Sequence, residues 1–126
     1  MPQPKLSISA TVLGTPDPPG LARFYSQLLG WPITFEEPDW VMIKPPNGGT
    51  GLSFQLEPTH IPPVWPQVEG QQQMMLHLDI WIEEGDLESA VAWALQHGAT
   101  QPDFQPQDEV RVMLDPAGHP FCLFTN

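Results

Sequence analysis

One short run of the sequence, from His77 to Ile82, places an imidazole, a carboxylate and an indole at alternate positions. Successive side chains of a β-strand face opposite sides, so the run predicts one face formed by His77, Asp79 and Trp81. The apolar residues of the run would pack under a helix: Leu78, Ile80 and Ile82. Side chains of the first kind can orient a small ligand or transfer a proton at the imidazole. The alternative is that His77 is a hydrogen-bonded strand residue without such a role.

The same alternation adds further strand residues to this face: Ala10, Val12, Trp40, Met42, Ser53, Gln55, Glu57, Cys122 and Phe124. Together they predict an aromatic and apolar concavity with a few polar groups, a composition typical of small-molecule sites. No lysine or arginine is expected there, which disfavours a carboxylate or phosphate substrate. We therefore expect a neutral or cationic, partly aromatic ligand, because aromatic faces and carboxylates attract cations. The alternative is that the aromatic side chains fill the concavity themselves.

The remaining candidate nucleophiles and ligands carry weaker signals. Cys122 is the only cysteine, so it forms no internal disulfide, which is compatible with a reducing, cytoplasmic setting. Free cysteine is also commonly a small buried packing residue. His60, His97 and His119 fit structural or neutral roles in a loop, a helix end and a turn. The sequence contains neither a Gly-x-Ser-x-Gly nucleophile elbow nor a glycine-rich phosphate loop.

The elements that would position these residues occur twice. A strand, an acidic turn, a helix and a closing glycine fit residues 10–30 and again residues 77–98. Each helix has an apolar stripe at i, i+3, i+4, i+7 and i+8. The stripes are Leu21, Phe24, Tyr25, Leu28 and Leu29, and Leu87, Ala90, Val91, Ala94 and Leu95. Strand-like runs follow at 33–36, 40–43 and 52–57, and at 100–104, 110–114 and 121–124.

The repeat predicts an α+β fold of two tandem βαβββ units pairing around a concave mixed sheet, because one small sheet alone leaves a face uncovered. We expect a single domain over residues 1–126, with unit one at about 7–58 and unit two at about 74–125. Exposed sheet edges, and tryptophans at or near element ends, favour a homodimer. These tryptophans are Trp31, Trp65 and Trp93.

The composition argues against several classes of partner. Four Lys and Arg against 15 Asp and Glu give a net charge of −11. Such a surface repels phosphate backbones, so we expect no nucleic-acid partner. There is no apolar run of membrane-spanning length and no secretory signal pattern at the start, so we expect no membrane partner. The acidity would attract cations, although solubility alone is the plainer explanation.

Four motifs, in this order and spacing, resemble the vicinal-oxygen-chelate superfamily, which includes glyoxalase I, bleomycin-resistance proteins and extradiol dioxygenases. They are residues 24–30 (FYSQLLG), 52–58 (LSFQLEP), 77–80 (HLDI) and 115–123 (DPAGHPFCL). The resemblance covers roughly residues 7–125 and is to the glyoxalase-like subgroup. It implies the duplicated βαβββ fold.

The resemblance also implies where a metal would bind, on the first and last strand of each unit: here Ala10, Gln55, His77 and Cys122. Alanine has no donor atom, the Gln55 amide is a weak donor, and a thiol replaces the usual glutamate at Cys122. Because zinc generally needs three or four protein ligands, we expect no intact catalytic metal and no cofactor. A divalent metal held with the help of Glu57 or His119 is the less favoured alternative.

Two main functional hypotheses follow. The first is a small-molecule-binding protein of the glyoxalase/bleomycin-resistance type without an intact catalytic metal site. The second is an enzyme: either a metal-dependent lyase, isomerase or dioxygenase of the same superfamily, or a metal-free enzyme with His77 as acid or base. A regulatory or purely structural module is a third reading. Metal analysis of protein purified without chelator discriminates best between the first two.

Overall fold

Residues 3–125 are described by the computed structural model of this chain, and they divide into two units between Pro58 and Thr59. Each unit has one helix and one small sheet, so the predicted α+β class and the repeated order of elements are confirmed. The first unit contains β1 (Ala10–Thr15), α1 (Pro18–Leu29), β2 (Ile33–Glu37), β3 (Trp40–Ile43) and β4 (Gly51–Leu56). The second contains β5 (Leu78–Trp81), α2 (Leu87–Gln96), β6 (Val110–Leu114) and β7 (Pro120–Phe124).

The sheet of the first unit has the order β1-β4-β3-β2, with β1 parallel to β4 and the other pairs antiparallel. Its apolar face lies under α1, where Val41, Ile43 and Phe54 are fully buried. Tyr25 of α1 stacks on Phe54 with ring centroids 5.8 Å apart. The alternate residue Trp40 faces the other side of the sheet, as strand geometry requires.

Helix α1 begins and ends at residues suited to its termini. The Asp17 side chain accepts a hydrogen bond from Gly20 N at 3.1 Å, and prolines occupy the first two helical positions. Gly30 closes the helix in the left-handed region at φ 72°, where its N–H donates to the carbonyl of Ser26. These signals explain why the observed helix matches the predicted one closely.

The sheet of the second unit has the order β5-β7-β6, with β5 parallel and β6 antiparallel to β7. The strand predicted at 100–104 is wrong: only an isolated bridge between Thr100 and Leu114 forms there. The unit is therefore βαβββ-like, with one strand reduced to a single bridge.

A glutamine side chain replaces the missing strand. Gln105 Nε2 donates to the carbonyl of Val112, and Gln105 Oε1 accepts from the N–H of Val112, at 2.9 and 2.8 Å. The side-chain amide thus pairs with the β6 edge as a strand backbone would. Pro102 and Pro106 flank this segment, and proline has no N–H with which to continue a ladder.

Helix α2 begins with a capping box, in which Asp86 accepts from Ser89 N at 2.8 Å and Ser89 Oγ accepts from Asp86 N. Hydrogen bonds from the Ser89 side chain and from the Ser89 backbone N–H lower the pKa of the Asp86 carboxyl. The predicted apolar stripe is only partly buried: Ala94 is buried, but Leu95 is 44% exposed. The error at Leu95 has a geometric cause, since it lies about 100° around the helix from Ala94.

Of the three tryptophans expected at or near element ends, Trp93 is 45% exposed. Trp31 and Trp65 are half-buried, so they offer less surface to a partner. Neither of the two helices in residues 3–125 has the length and hydropathy of a membrane span.

Candidate functional site

Two polar side chains of the second unit meet at the start of β5. His77 immediately precedes the strand and Asp79 lies in it, so a spacing of two puts both on the same face. His77 Nε2 and Asp79 Oδ1 are 3.1 Å apart. The two side chains are 40% and 63% exposed, which makes the pair accessible from solvent.

A thiol joins this pair from the neighbouring strand. In the parallel register of β5 and β7, Cys122 lies directly beside Asp79. The ligand atoms of His77, Asp79 and Cys122 all lie within 4.8 Å of one another. Burial and the negative charge of Asp79 raise the pKa of the Cys122 thiol, and a hydrogen bond to Asp79 acts in the same direction. We refer to these three residues as the β5–β7 cluster.

The cluster borders an apolar depression of about 180 Å³. His77 and Cys122 form its polar side. The remaining wall is apolar apart from one glutamine: Trp65, Met74, Pro106, Gln107, Val110, Val112 and Pro120. An adjoining depression of about 300 Å³ shares His77 and Cys122 and adds Asp79 and Phe124. We call the first of these the apolar pocket.

The loops that wall the apolar pocket are held by specific contacts. Trp65 Nε1 donates to the carbonyl of Phe104 at 3.3 Å, and the two rings lie 5.9 Å apart. Gln105 ties the same segment to β6 through Val112. The segment that contains Phe104 and Gln105 is therefore held by contacts with both Trp65 and β6.

Within residues 3–125, basic side chains do not contribute to either depression. Among the described residues, none that lines them is a lysine or an arginine. Arg111 lies nearby in sequence, but its Nη1 donates to the carbonyls of Gln107, Asp108 and Val110. Its side chain lines a different depression, next to α2.

The structure distributes the six predicted ligand-binding residues between the two units. Trp40 and Gln55 are cross-strand neighbours in the first unit, where Gln55 Nε2 donates to Glu57 Oε1 at 2.7 Å. In the second unit, His77 and Asp79 belong to the β5–β7 cluster, and Phe124 lines the adjoining depression. Trp81 is paired with Phe124 in register and half exposed, outside the lining of both depressions.

Sequence reasoning missed the loop residues of the apolar pocket. Trp65 and Met74 lie in an irregular, proline-rich segment, and Gln107 follows another. No periodicity marks such residues. Val110 and Val112, in contrast, could have been found by applying to β6 the alternation that was used for β7.

The four positions that the resemblance assigns to a metal do not form a fitting donor set. Ala10 offers no donor atom, and the Gln55 amide is engaged with the Glu57 carboxylate. His77 and Cys122 alone are too few for a stable zinc site. Of the two alternative recruits, His119 is not part of the β5–β7 cluster, and Glu57 belongs to the first unit. The His119 ring instead contacts that of His60, with centroids 4.9 Å apart.

Comparison with protein families gives a match over nearly the whole chain. The family model for the glyoxalase-like domain matches residues 10–124. A comparison with curated protein sequences found no match.

Solved structures share the fold at low sequence identity. A glyoxalase-related enzyme from Fulvimarina pelagi has a TM-score of 0.67 at 19% identity, over 95% of this chain and 88% of that one. A glyoxalase/bleomycin resistance protein/dioxygenase family enzyme from Burkholderia phytofirmans PsJN also has 0.67, at 18% identity over 93% and 96%. TnmS3, an antibiotic binding protein from Streptomyces sp. CB03234, has 0.61 at 15% identity over 98% of both chains.

Proposed function

Because the chain belongs to the glyoxalase-like domain family of the vicinal-oxygen-chelate superfamily, we propose that it is a small-molecule-binding protein without that superfamily's four-ligand catalytic metal site. The observation that carries the proposal is the apolar pocket of the second unit, with His77 and Cys122 on one side. A depression of this composition suits a flat apolar ligand that a few polar groups orient. The antibiotic-binding activity of TnmS3, which shares the fold, is consistent with such a role.

The pocket's chemistry favours a neutral or cationic ligand that contains an aromatic ring. Trp65 supplies an aromatic face and Met74 an adaptable apolar contact. Asp79, at the edge, offers a carboxylate to an amine. A carboxylate ligand would meet Asp79 without a compensating cation from the described lining.

A thermal-shift screen tests this proposal with matched aromatic compounds that carry an amine, a neutral group or a carboxylate. The screen is run with a chelator, so that bound metal contributes nothing. We expect amine or neutral members to raise the melting temperature more than carboxylates do. Trp65→Ala should remove this shift, whereas Trp93→Ala, which changes an exposed tryptophan on α2, should retain it.

A second pocket variant keeps the test valid if Trp65→Ala fails to fold. Met74→Trp places a larger side chain in the pocket, which reduces the space for a ligand. It leaves the contact of Trp65 with Phe104 in place. Folded Met74→Trp protein that binds the hit compounds as tightly as wild type would place the ligand elsewhere and refute the proposal.

An enzymatic role is the second candidate, and the 3.1 Å contact of His77 with Asp79 favours it. A carboxylate beside an imidazole can fix the ring orientation needed for proton transfer. If His77 is an acid or base, compounds that bind should be converted, and mass spectrometry of the mixture would detect the product. His77→Asn should then abolish conversion while binding persists. Binding of every hit without conversion would favour the binding protein.

We further propose that the ligand-binding form is a homodimer. The support is apolar surface on regular elements of the chain: Ile33 and Phe35 on β2, and Trp93 and Leu95 on α2, are each about 40% exposed or more. Surfaces of this kind are commonly covered by a partner.

A further inference from the structure

We propose that a depression beside α2 binds a free α-amino acid with an apolar side chain. The depression has a volume of about 400 Å³. Its lining combines two apolar residues, one amide and two opposite charges: Leu87, Val91, Gln101, Glu88 and Arg111. We call it the α2 depression. The inference does not depend on the ligand proposed for the apolar pocket.

The α2 depression and the apolar pocket lie on opposite faces of one strand. Val110 and Val112 line the apolar pocket, whereas Arg111 lines the α2 depression, as the alternation of side chains along β6 requires. Ligands at the two sites therefore do not compete for one surface. A substitution at Arg111 also leaves the lining residues of the apolar pocket in place.

An arginine beneath the helix explains why the α2 depression exists. The neighbouring residues on this side of the sheet are buried: Met113, Phe121 and Leu123. Arg111, which pairs with Leu123 in register, is only half-buried. In α2 the sheet buries Ala94, whereas Leu87 and Val91, four residues apart and on one helix face, stay half-buried. The first two turns of α2 therefore present an apolar surface that the side chain of a ligand would cover.

The backbone holds the guanidinium of Arg111 in place. Its Nη1 donates to the carbonyls of Gln107, Asp108 and Val110 at 3.3, 3.0 and 2.9 Å. In residues 3–125, no hydrogen bond engages Nε or Nη2, and no carboxylate forms an ion pair with this side chain. The N–H groups of Nε and Nη2 form one edge that matches the two oxygens of a carboxylate. Because Nη1 is already fixed, this edge loses little freedom when a ligand carboxylate binds.

Glu88 supplies the opposite charge. Its side chain is exposed and forms no ion pair with Arg111, so its carboxylate can accept hydrogen bonds from an ammonium group. A simple anion would suit Arg111, but Glu88 and the net charge of −11 would repel it. A zwitterion carries no net charge and uses both groups. The volume of the α2 depression also lies in the range of small-molecule sites, about 300–1,000 Å³.

Nuclear magnetic resonance of the full, isotope-labelled chain tests the site. Leucine, leucinamide and isocaproate share an apolar side chain but carry both charges, only the ammonium and only the carboxylate. We expect leucine to shift the Nε–H signal of Arg111 and the backbone amide signals of Leu87 and Val91, and to leave the signal of the other arginine, Arg23, in place. Leucine should bind about tenfold or more tighter than either analogue, because each analogue loses a charge-assisted hydrogen bond.

Two substitutions assign the charged groups. Glu88→Gln should weaken leucine binding about two- to fivefold and leave isocaproate binding unchanged or stronger. Arg111→Lys keeps the charge but lacks the paired N–H edge, so leucine binding should fall about tenfold or more. Glu84→Gln, an exposed acid outside the α2 depression, is the matched control and should bind leucine as wild type does. If Arg111→Lys fails to fold, the exposed Glu88→Gln change and the ligand series still decide.

Three results would overturn the assignment. One is leucine that leaves the Arg111 signal unchanged. Another is isocaproate or leucinamide that binds as tightly as leucine, because a single charge would then suffice. The third is a leucine affinity that is equal in Glu88→Gln and wild type. None of these results bears on the apolar pocket, whose screen uses aromatic compounds that carry one charge or none.

Discussion

Burial and the carboxylate of Asp79, its neighbour across the strands, both act on the Cys122 thiol. A thiolate there would form in a half-buried position and close to this negative charge, and both features raise the pKa of the thiol. In metal-free protein Cys122 should therefore react slowly with alkylating reagents at neutral pH, because the thiolate is the reactive form.

Replacing Asp79 with asparagine should accelerate alkylation of Cys122. The change removes a charge that disfavours the thiolate, so the pKa of Cys122 should fall while the contribution of burial remains. The rate of reaction with iodoacetamide, followed against pH in the presence of chelator, should shift to lower pH. Asp103→Asn, an exposed acid distant in sequence, serves as the control. An unchanged profile in Asp79→Asn would show that its charge does not act on the thiol.

At the scale of single residues, the sequence reveals the part of the site that follows from the alternation of side chains along a strand. A period of two placed His77 and Asp79 on one side of β5, and the structure has the two in contact. It could not reveal Trp65 or Met74, because their positions depend on loop contacts formed after folding. It also could not reveal that Asp79 lies beside Cys122, because this contact depends on the register in which β5 and β7 pair.

At the scale of elements, Gln105 performs the role of a strand that the repeat predicts. Its amide satisfies both the N–H and the carbonyl of Val112, and it also donates to the carbonyl of Pro102. A repeat read from the sequence cannot foresee this, because a single side chain carries no periodicity. The first unit was easier to predict, since caps and buried alternation mark its elements directly.

Gln105→Ala should destabilise the protein by about 1–3 kcal/mol, because it leaves the buried Val112 backbone groups without their partner. Denaturant unfolding measures the loss, and amide hydrogen exchange should show faster exchange at Val112. Gln101→Ala, an exposed glutamine in the same connection, should change neither quantity appreciably. If the free energy of unfolding of Gln105→Ala equals that of wild type, water replaces the hydrogen bonds of the side chain without loss of stability.

The buried stripe of α1 should dominate the stability of the first unit. Leu21 is 2% exposed whereas Leu28 is half-buried, so Leu21→Ala should cost about 2–5 kcal/mol and Leu28→Ala clearly less. Urea unfolding of both variants, with the exposed Arg23→Ala as control, tests the order. A larger loss for Leu28→Ala would indicate that a partner surface covers Leu28 in solution.

At the scale of the whole molecule, the edge strand β2 favours self-association. No strand pairs with its outer edge in the described part of the chain, and Ile33 and Phe35 on it are 39% and 44% exposed. Edges of this kind pair readily with other chains. Light scattering should therefore give twice the chain mass of 14.1 kDa at micromolar concentration. Phe35→Lys should shift the mass towards the monomer, whereas Val68→Lys, in an exposed loop, should not. A monomeric mass for the wild-type protein would refute the homodimer.

The net charge acts over longer distances than any single side chain and should make ligand affinity depend on salt. At −11, the protein attracts cations from beyond contact range. The Debye length shortens from about 10 Å at 0.1 M salt to about 3 Å at 1 M, so this attraction is largely lost in concentrated salt. Stacking on Trp65, in contrast, does not depend on charge.

An aromatic amine should therefore lose several-fold in affinity between about 0.1 and 1 M potassium chloride, while its neutral analogue should keep or slightly improve its affinity. Calorimetry of the matched pair in chelator measures both. Asp79→Asn removes a carboxylate that lines the adjoining depression. The substitution should therefore lower the affinity for the amine and leave the affinity for the neutral analogue unchanged. A carboxylate analogue that binds best, and weakens with salt, would contradict the expected ligand class. That result would mean that Arg23 or Arg111 reaches the ligand, and alanine substitution at each would identify which.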